Sequence, residues 1–176
     1  VTCKANWLVA SNQQTAQVFV GRINRDTGIP EFTTEVFHPT SAPTASMITA
    51  DGRFVYVLNM NNAISGFAIN RVTGELTDVP GSPQSAGLHF PGVPPLLHPG
   101  GEYLYSVDQE NARFFAFHLN STTGELLPVA GSPYSLGAVD GSAAAAVHPN
   151  GRFLYVVSVS WISMERYLRL HTFSID

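Results

Sequence analysis

The sequence predicts an all-β fold made of four-stranded antiparallel units repeated along the chain. Three observations predict it. First, Ala50-Asp51-Gly52-Arg53-Phe54-Val55-Tyr56-Val57 returns as Pro99-Gly100-Gly101-Glu102-Tyr103-Leu104-Tyr105 and as Pro149-Asn150-Gly151-Arg152-Phe153-Leu154-Tyr155-Val156, with glycines 49 and 50 positions apart. Second, Phe67-Ala68-Ile69-Asn70-Arg71-Val72-Thr73-Gly74-Glu75-Leu76 returns as Phe117-His118-Leu119-Asn120-Ser121-Thr122-Thr123-Gly124-Glu125-Leu126, with shorter copies at Ile23–Gly28 and Phe173–Asp176. Third, no 3.6-residue hydrophobic period of useful length occurs, so nothing argues for helices. A fixed period of this kind is the mark of a repeat architecture.

Each unit reads in the same order. The first strand is Ser46–Thr49, Leu96–His98 or Ala144–His148. A tight turn follows, where glycine takes a positive φ without strain. The second strand is Phe54–Leu58, Tyr103–Val107 or Phe153–Val157, and the third is Ile64–Ile69 or Phe114–Leu119. Aromatic and β-branched residues fill both. An Asn-x-x-Thr-Gly turn leads to a fourth strand that starts at Glu75 or Glu125 and runs into Gly81-Ser82-Pro83 or Gly131-Ser132-Pro133. The repeats fall at 1–43 (partial), 44–92, 93–141 and 142–176 (partial). Four antiparallel strands per roughly 45–50 residues is the unit of a β-propeller, whereas solenoid rungs run to roughly 20–30 residues. The chain reads as a single propeller segment of about four blades, two of them complete. It opens on a second-strand segment, Trp7–Ala10, and closes on a third strand, which makes 14 strands in all.

Composition narrows the function. The chain has 176 residues, 44% of them apolar and only 12% charged, with a net charge of −4. That excludes a disordered tail, a charged coiled coil and a polybasic arm, and it argues against nucleic acid. No apolar run reaches the roughly 18 residues that a membrane span needs. Cys3 is the only cysteine, so no internal disulfide or cysteine-based metal site is expected. No His/Asp/Glu spacing suggests a metal, and no phosphate loop or other cofactor motif is present. The chain starts at Val1 rather than Met, and secreted, periplasmic and cytoplasmic locations all stay open.

These units resemble the repeats of lactonase-type seven-bladed propellers, which include 6-phosphogluconolactonase-like proteins, carboxymuconate-lactonising enzymes and Tyr-Val-Thr-Asn repeat proteins. The residues that carry the resemblance are His148-Pro149-Asn150-Gly151-Arg152-Phe153-Leu154-Tyr155-Val156, Tyr56-Val57-Leu58-Asn59, Ile64–Asn70, and Thr73-Gly74-Glu75-Leu76 with Val79-Pro80-Gly81-Ser82-Pro83. It covers about the whole chain. A seven-bladed ring at this period needs about 340 residues, so the resemblance implies an N-terminal half. Such a half leaves strand edges and blade faces open; it is expected to self-associate or to meet a second propeller half, unless the remaining blades lie outside this sequence. Two copies do not make a tidy seven-bladed ring, because each junction joins a blade lacking its fourth strand to one lacking its first.

The resemblance also places candidate sites in the loops that lead into each first strand. Family members often carry Pro-Arg-His there. The matching slots here are Pro43-Thr44-Ala45, Gly92-Val93-Pro94 and Ser142-Ala143-Ala144, none with the Arg or the His. Kept blade order would put the Arg-His blade beyond Asp176. His89 and Asp140 are the only ionisable groups in those loops, and a His–carboxylate pair can orient a base or hold a sugar or lactone. The plainer alternative is two solvated loop residues. Asn12, Asn59, Asp108 and Ser158 share one position at the end of the second strand, where short polar side chains bond local backbone. His98 and His148 are expected to cap hairpins, and His118 to point outward.

The fourth unit departs from the pattern. Tyr155 to Phe173 spans 18 positions, against 11 from Tyr56 to Phe67 and 12 from Tyr105 to Phe117. The extra residues include Trp161, Ile162 and Met164. They read either as a mouth loop that contacts a ligand or partner, or as a longer hairpin on its own blade. The leading expectation is a binding and interaction scaffold. The alternative is a lactone hydrolase acting at the channel mouth.

Overall fold

The computed structural model describes residues 2–4, 6–37, 41–61, 63–85, 94–137 and 140–175. These form four antiparallel sheets in chain order. Sheet I holds β1 (Thr2–Lys4), β2 (Trp7–Asn12), β3 (Gln17–Ile23) and β4 (Pro30–Phe37). Sheet II holds β5 (Pro43–Ile48), β6 (Phe54–Asn59), β7 (Ala63–Ile69), β8 (Leu76–Asp78) and β9 (Gln84–Ser85). Sheet III holds β10 (Leu96–Leu97), β11 (Tyr103–Asp108), β12 (Arg113–Leu119), β13 (Leu126–Pro128) and β14 (Tyr134–Ser135). Sheet IV holds β15 (Gly141–Val147), β16 (Phe153–Ile162) and β17 (Glu165–Ser174). This is the all-β propeller segment that the repeat predicts.

One strand escaped the sequence reading. β1 pairs with β2 in the register Thr2↔Val9, Cys3↔Leu8, Lys4↔Trp7. The chain therefore opens on a first strand, not a second. Asn6 makes the reversal at φ 68, a conformation its short polar side chain tolerates. Three residues are too few to show an alternating pattern, so only the ladder reveals this strand.

The fourth strand of sheets II and III comes in two pieces. β8 and β9 both pair with β7, and β13 and β14 both pair with β12. The Gly-Ser-Pro turn separates the pieces, and its serine replaces the missing ladder acceptor. Ser82 Oγ accepts the Gly66 N–H at 3.0 Å, and Ser132 Oγ accepts the Ala116 N–H at 3.0 Å.

The Asn-x-x-Thr-Gly turn is built the same way three times. Asn24, Asn70 and Asn120 each accept two backbone N–H groups on Oδ1, at 2.9 and 3.1, 2.9 and 3.2, and 2.9 and 3.1 Å. The closing glycines sit at φ 72, 81 and 79. An asparagine that bonds its own backbone and a glycine at positive φ are what this turn requires.

The core lies between sheets. Each sheet turns a forward face toward the next one. Trp7, Val9, Val18 and Val20 of sheet I meet Val55, Val57 and Phe67 of sheet II. Met47, Tyr56, Leu58 and Ile64 of sheet II meet Leu104, Phe115, Phe117 and Leu126 of sheet III. Tyr105, Val107 and Phe114 of sheet III meet Leu154 and Val156 of sheet IV. Strand alternation sends successive side chains to opposite neighbours, so a middle sheet is apolar on both sides; β6 is buried at every position. Among the described residues no helix is long and apolar enough to cross a membrane.

Candidate functional site

The second-strand ends carry the polar groups of one face, and most are buried. Asn59 is 2% exposed and donates from Nδ2 to Ser65 Oγ at 2.8 Å. Asp108 is 0% exposed. Its Oδ1 accepts the Asn111 N–H at 3.1 Å, and its Oδ2 accepts Arg113 Nε at 2.9 Å. Ser158, also 0% exposed, lies 2.7 Å from His171 Nε2. Asn12 is exposed, and its Oδ1 accepts the Gln14 N–H at 3.0 Å. Each side chain bonds its own or the facing strand, so this repeated position organises hairpins, as the sequence suggested.

Asp140 stands immediately before β15. Its backbone N–H donates to the Val159 carbonyl at 2.9 Å. Its Oδ2 accepts the Trp161 N–H at 2.5 Å. The loop carboxylate and the apolar insertion, two separate candidates in the sequence, are thus one unit. His89 lies outside the described residues, so its relation to Asp140 rests on sequence alone. Gly141 is buried because β15 starts against the neighbouring hairpin: a Cβ there would stand 2.6 Å from the Gln109 carbonyl oxygen.

The insertion is strand rather than loop. β16 and β17 pair over ten rungs, from Phe153↔Ser174 to Ile162↔Glu165. Ser163 and Met164 turn the corner at φ 51 and 66, the geometry of a two-residue hairpin whose twist matches its strands. Trp161 and Ile162 end β16, and Met164 occupies the tip. Trp161 is 59% exposed, and Leu168 and Leu170 are each 63% exposed. The long spacing between Tyr155 and Phe173 was visible in the sequence, but it does not say whether the extra residues pair.

A cleft of about 290 Å³ separates the outer parts of sheets III and IV, with Tyr105, Phe114, Tyr134 and Phe173 in its walls. The equivalent space between sheets II and III is about 10 Å³. There the β12–β13 turn fills the position: Tyr56 Oη donates to the Gly124 carbonyl at 2.6 Å. Sheet IV has no counterpart of β13 among the described residues. Burial, with smaller contributions from Tyr103 and Tyr134, pushes the Tyr105 hydroxyl up to about 12. Sequence reasoning missed this tyrosine position, although Tyr56, Tyr105 and Tyr155 recur at one place in the repeat.

The turn histidines play the capping part expected of them. His98 Nδ1 accepts the Gly100 N–H at 3.0 Å. That leaves the proton on Nε2, which donates to the Gly151 carbonyl at 2.9 Å and joins sheet III to sheet IV. His148 Nδ1 accepts the Asn150 N–H at 3.1 Å. His118 is exposed.

Comparison with known proteins agrees with this architecture. The sequence profile described as "Lactonase, 7-bladed beta-propeller" matches residues 1–89 and 32–140. No curated protein matches the chain. Among solved structures, a Bacteroides fragilis protein assigned as a 6-phosphogluconolactonase superposes with a TM-score of 0.67 at 20% identity, covering 97% of this chain and 52% of its own. The periplasmic gluconolactonase PpgL of Pseudomonas aeruginosa gives 0.67 at 20% identity, with 94% and 53% covered. The Cps50 (Swd1) β-propeller domain of Myceliophteria thermophila gives 0.69 at 14% identity, with 99% and 53% covered. At these identities the likeness is one of fold, and the chain spans about half the length of each structure. With blades, turns and profile in agreement, the chain belongs to the seven-bladed lactonase β-propeller family.

Proposed function

We propose that this chain serves as a binding and interaction scaffold of lactonase-type blades that assembles with further blades or with another copy of itself. The observation that carries the reading is the apolar character of its two outermost sheet faces. On sheet IV, Leu168 and Leu170 are each 63% exposed; on sheet I, Phe32 is 58% exposed, and Ile29 in the adjoining β3–β4 turn is 63% exposed. Contiguous exposed apolar surface on a folded protein marks an interaction site or an association hazard. At the hairpin tip the exposed Trp161 and Met164 extend this surface, and Trp161, Ile162 and Met164 are the proposed contact for a ligand or partner.

The second reading is lactone hydrolysis, favoured by the names that two structural neighbours carry. A base would then activate water at the mouth while polar groups hold the developing oxyanion. Asp140 and His89 are the proposed residues, and a small sugar lactone is the substrate class. Against it, Asp140 already accepts a backbone hydrogen bond from Trp161. Lactone hydrolysis by the purified chain separates the two readings. The scaffold reading expects no turnover above the uncatalysed rate. Robust turnover that disappears in Asp140→Ala or His89→Ala would overturn it.

A further inference from the structure

The sheets stand with like ends together, and contacts between turns mark the two ends. At one end Gln13 Nε2 donates to Met60 Sδ at 3.2 Å, joining the β2–β3 and β6–β7 turns. At the same end the β11–β12 turn meets the start of β15, since a Cβ on Gly141 would stand 2.6 Å from the Gln109 carbonyl oxygen. At the other end Arg22 Nη2 donates to the Arg71 carbonyl at 3.1 Å, Tyr56 to the Gly124 carbonyl and His98 to the Gly151 carbonyl.

The two ends differ in chemistry. The second is charged: Asp51 and Arg53 share one of its turns, and Arg71 and Glu75 another. Its asparagines serve structure. Asn24, Asn70 and Asn120 cap their own turns, and Asn150 Oδ1 accepts the Arg152 N–H at 2.9 Å. The first end is rich in amides of another kind. All five glutamines of the chain lie there: Gln13 and Gln14 in the β2–β3 turn, Gln17 opening β3, Gln84 paired with Ile64, and Gln109 in the β11–β12 turn. Glutamine is one methylene longer than asparagine and does not make the short bond to its own backbone that closes an Asx turn. Turn chemistry therefore does not account for these side chains. Gln13 and Gln14 are exposed, and the side-chain amides of Gln14 and Gln109 make no hydrogen bond to another described residue.

An arm stands over the amide end. β16 and β17 pair four rungs beyond Ser158↔Arg169, which adds roughly 13 Å of hairpin at the usual rise of a strand. Leu154 and Val156 face sheet III, and strand alternation carries that side out to Ser160 and its partner Tyr167. Tyr167 is 47% exposed, and its Oη donates to Glu165 Oε2 at 2.7 Å. This side of the arm looks inward, over sheet III. The turns and the arm carry Glu110, Glu165, Arg166 and Arg169, with Asp140 at the arm's base, so together they hold one net negative charge. The two arginines lie on opposite sides of the hairpin and form no cluster.

We propose that the amide end binds an uncharged oligosaccharide chain, laid over the β2–β3, β6–β7 and β11–β12 turns and against Tyr167. A primary amide both donates and accepts, as a sugar hydroxyl does. An exposed tyrosine offers an apolar ring with a polar tip, which matches the apolar face of a pyranose. A phosphate or carboxylate would call instead for clustered Arg or Lys. The groups are spread over sheets I to IV, so the ligand is a chain of sugars and not a single ring. This rests on the scaffold reading and names the ligand class of that surface.

The test is isothermal titration calorimetry of the full chain with linear hexasaccharides of glucose, mannose, xylose and N-acetylglucosamine, and with hexagalacturonate as the anionic counterpart. At least one neutral hexasaccharide should bind saturably, and its monosaccharide far more weakly. Tyr167→Ala should weaken binding by about tenfold, and Gln14→Ala by about fivefold, the effect of one hydrogen bond. Both residues are exposed, so both variants should keep the circular dichroism of the folded chain. Gln14→Ala decides alone if Tyr167→Ala disturbs the arm. Arg25→Ala, at the charged end, should bind like wild type. Failure of every neutral hexasaccharide overturns the proposal. So does tighter binding of hexagalacturonate, unchanged affinity in Gln14→Ala, or loss of binding in Arg25→Ala. Lactone turnover judges the scaffold reading separately: a chain that binds no glycan and hydrolyses no lactone refutes this inference and leaves that reading standing.

Discussion

Tyr56 Oη donates to the Gly124 carbonyl oxygen at 2.6 Å across a separation of 68 residues. One tyrosine of the second strand thereby holds the third-to-fourth turn of the following sheet. Phe54 and Val79 press on the same glycine, so apolar packing and a buried hydrogen bond act at one point.

Tyr56→Phe should lower stability by about 1–3 kcal/mol, since it leaves a buried carbonyl without its donor. Gly124→Ala should cost more, about 2–5 kcal/mol, by combining a strained left-handed residue with overpacking against Phe54. Urea denaturation of both variants checks the order. A Gly124→Ala chain as stable as wild type would contradict this account of the junction.

Alkaline pH should unfold the sheet junctions. Burial holds the Tyr105 hydroxyl up to about 12, and burial followed by the nearby Asp51 charge holds Tyr56 up as well. An unfolded tyrosine titrates near 10. The fold therefore favours the neutral phenol. That contribution is whole below pH ~10 and is lost as pH rises from there through about 12. Phenolate absorbance and tyrosine-region circular dichroism should change together in this window.

His98 ties sheet III to sheet IV, and Gly151 leaves it room. A Cβ on Gly151 would stand 2.5 Å from His98 Nε2. Gly151→Ala also strains a backbone at φ 76, and the combined cost should be about 2–4 kcal/mol. His98→Ala removes two hydrogen bonds at a half-exposed site and should cost about 1–2 kcal/mol. Amide exchange in both variants should rise first at Gly100 and across the β15–β16 turn.

Asp140→Ala should loosen the long hairpin without unfolding the sheet. Its carboxylate accepts the Trp161 N–H, and Asp140 itself is exposed, so the loss should be about 0.5–1.5 kcal/mol. Faster exchange at Trp161, with Val156 unchanged, is the expected pattern. Uniform acceleration throughout sheet IV would mean that Asp140 supports the whole sheet.

The repeat was legible because each of its signals is local. Asn-x-x-Thr-Gly, the Gly-Ser-Pro turn and the Asp-Gly or Asn-Gly hairpins encode their conformations within a few residues. Alternating apolar positions encode the faces that must be covered. From these the blade architecture, the family and the hairpin role of Asn59, Asp108 and Ser158 could be read directly. β1 could not, because three residues flanking Asn6 have no period and only pairing with β2 defines them. The candidate site was partly legible: Asp140 and Trp161 each stood out, but not their contact. They lie 21 residues apart, and a ten-rung hairpin register brings them together. The latch at Tyr56 belongs to the tertiary structure alone. It depends on how one sheet seats against the next, and no single repeat contains both of the surfaces that meet.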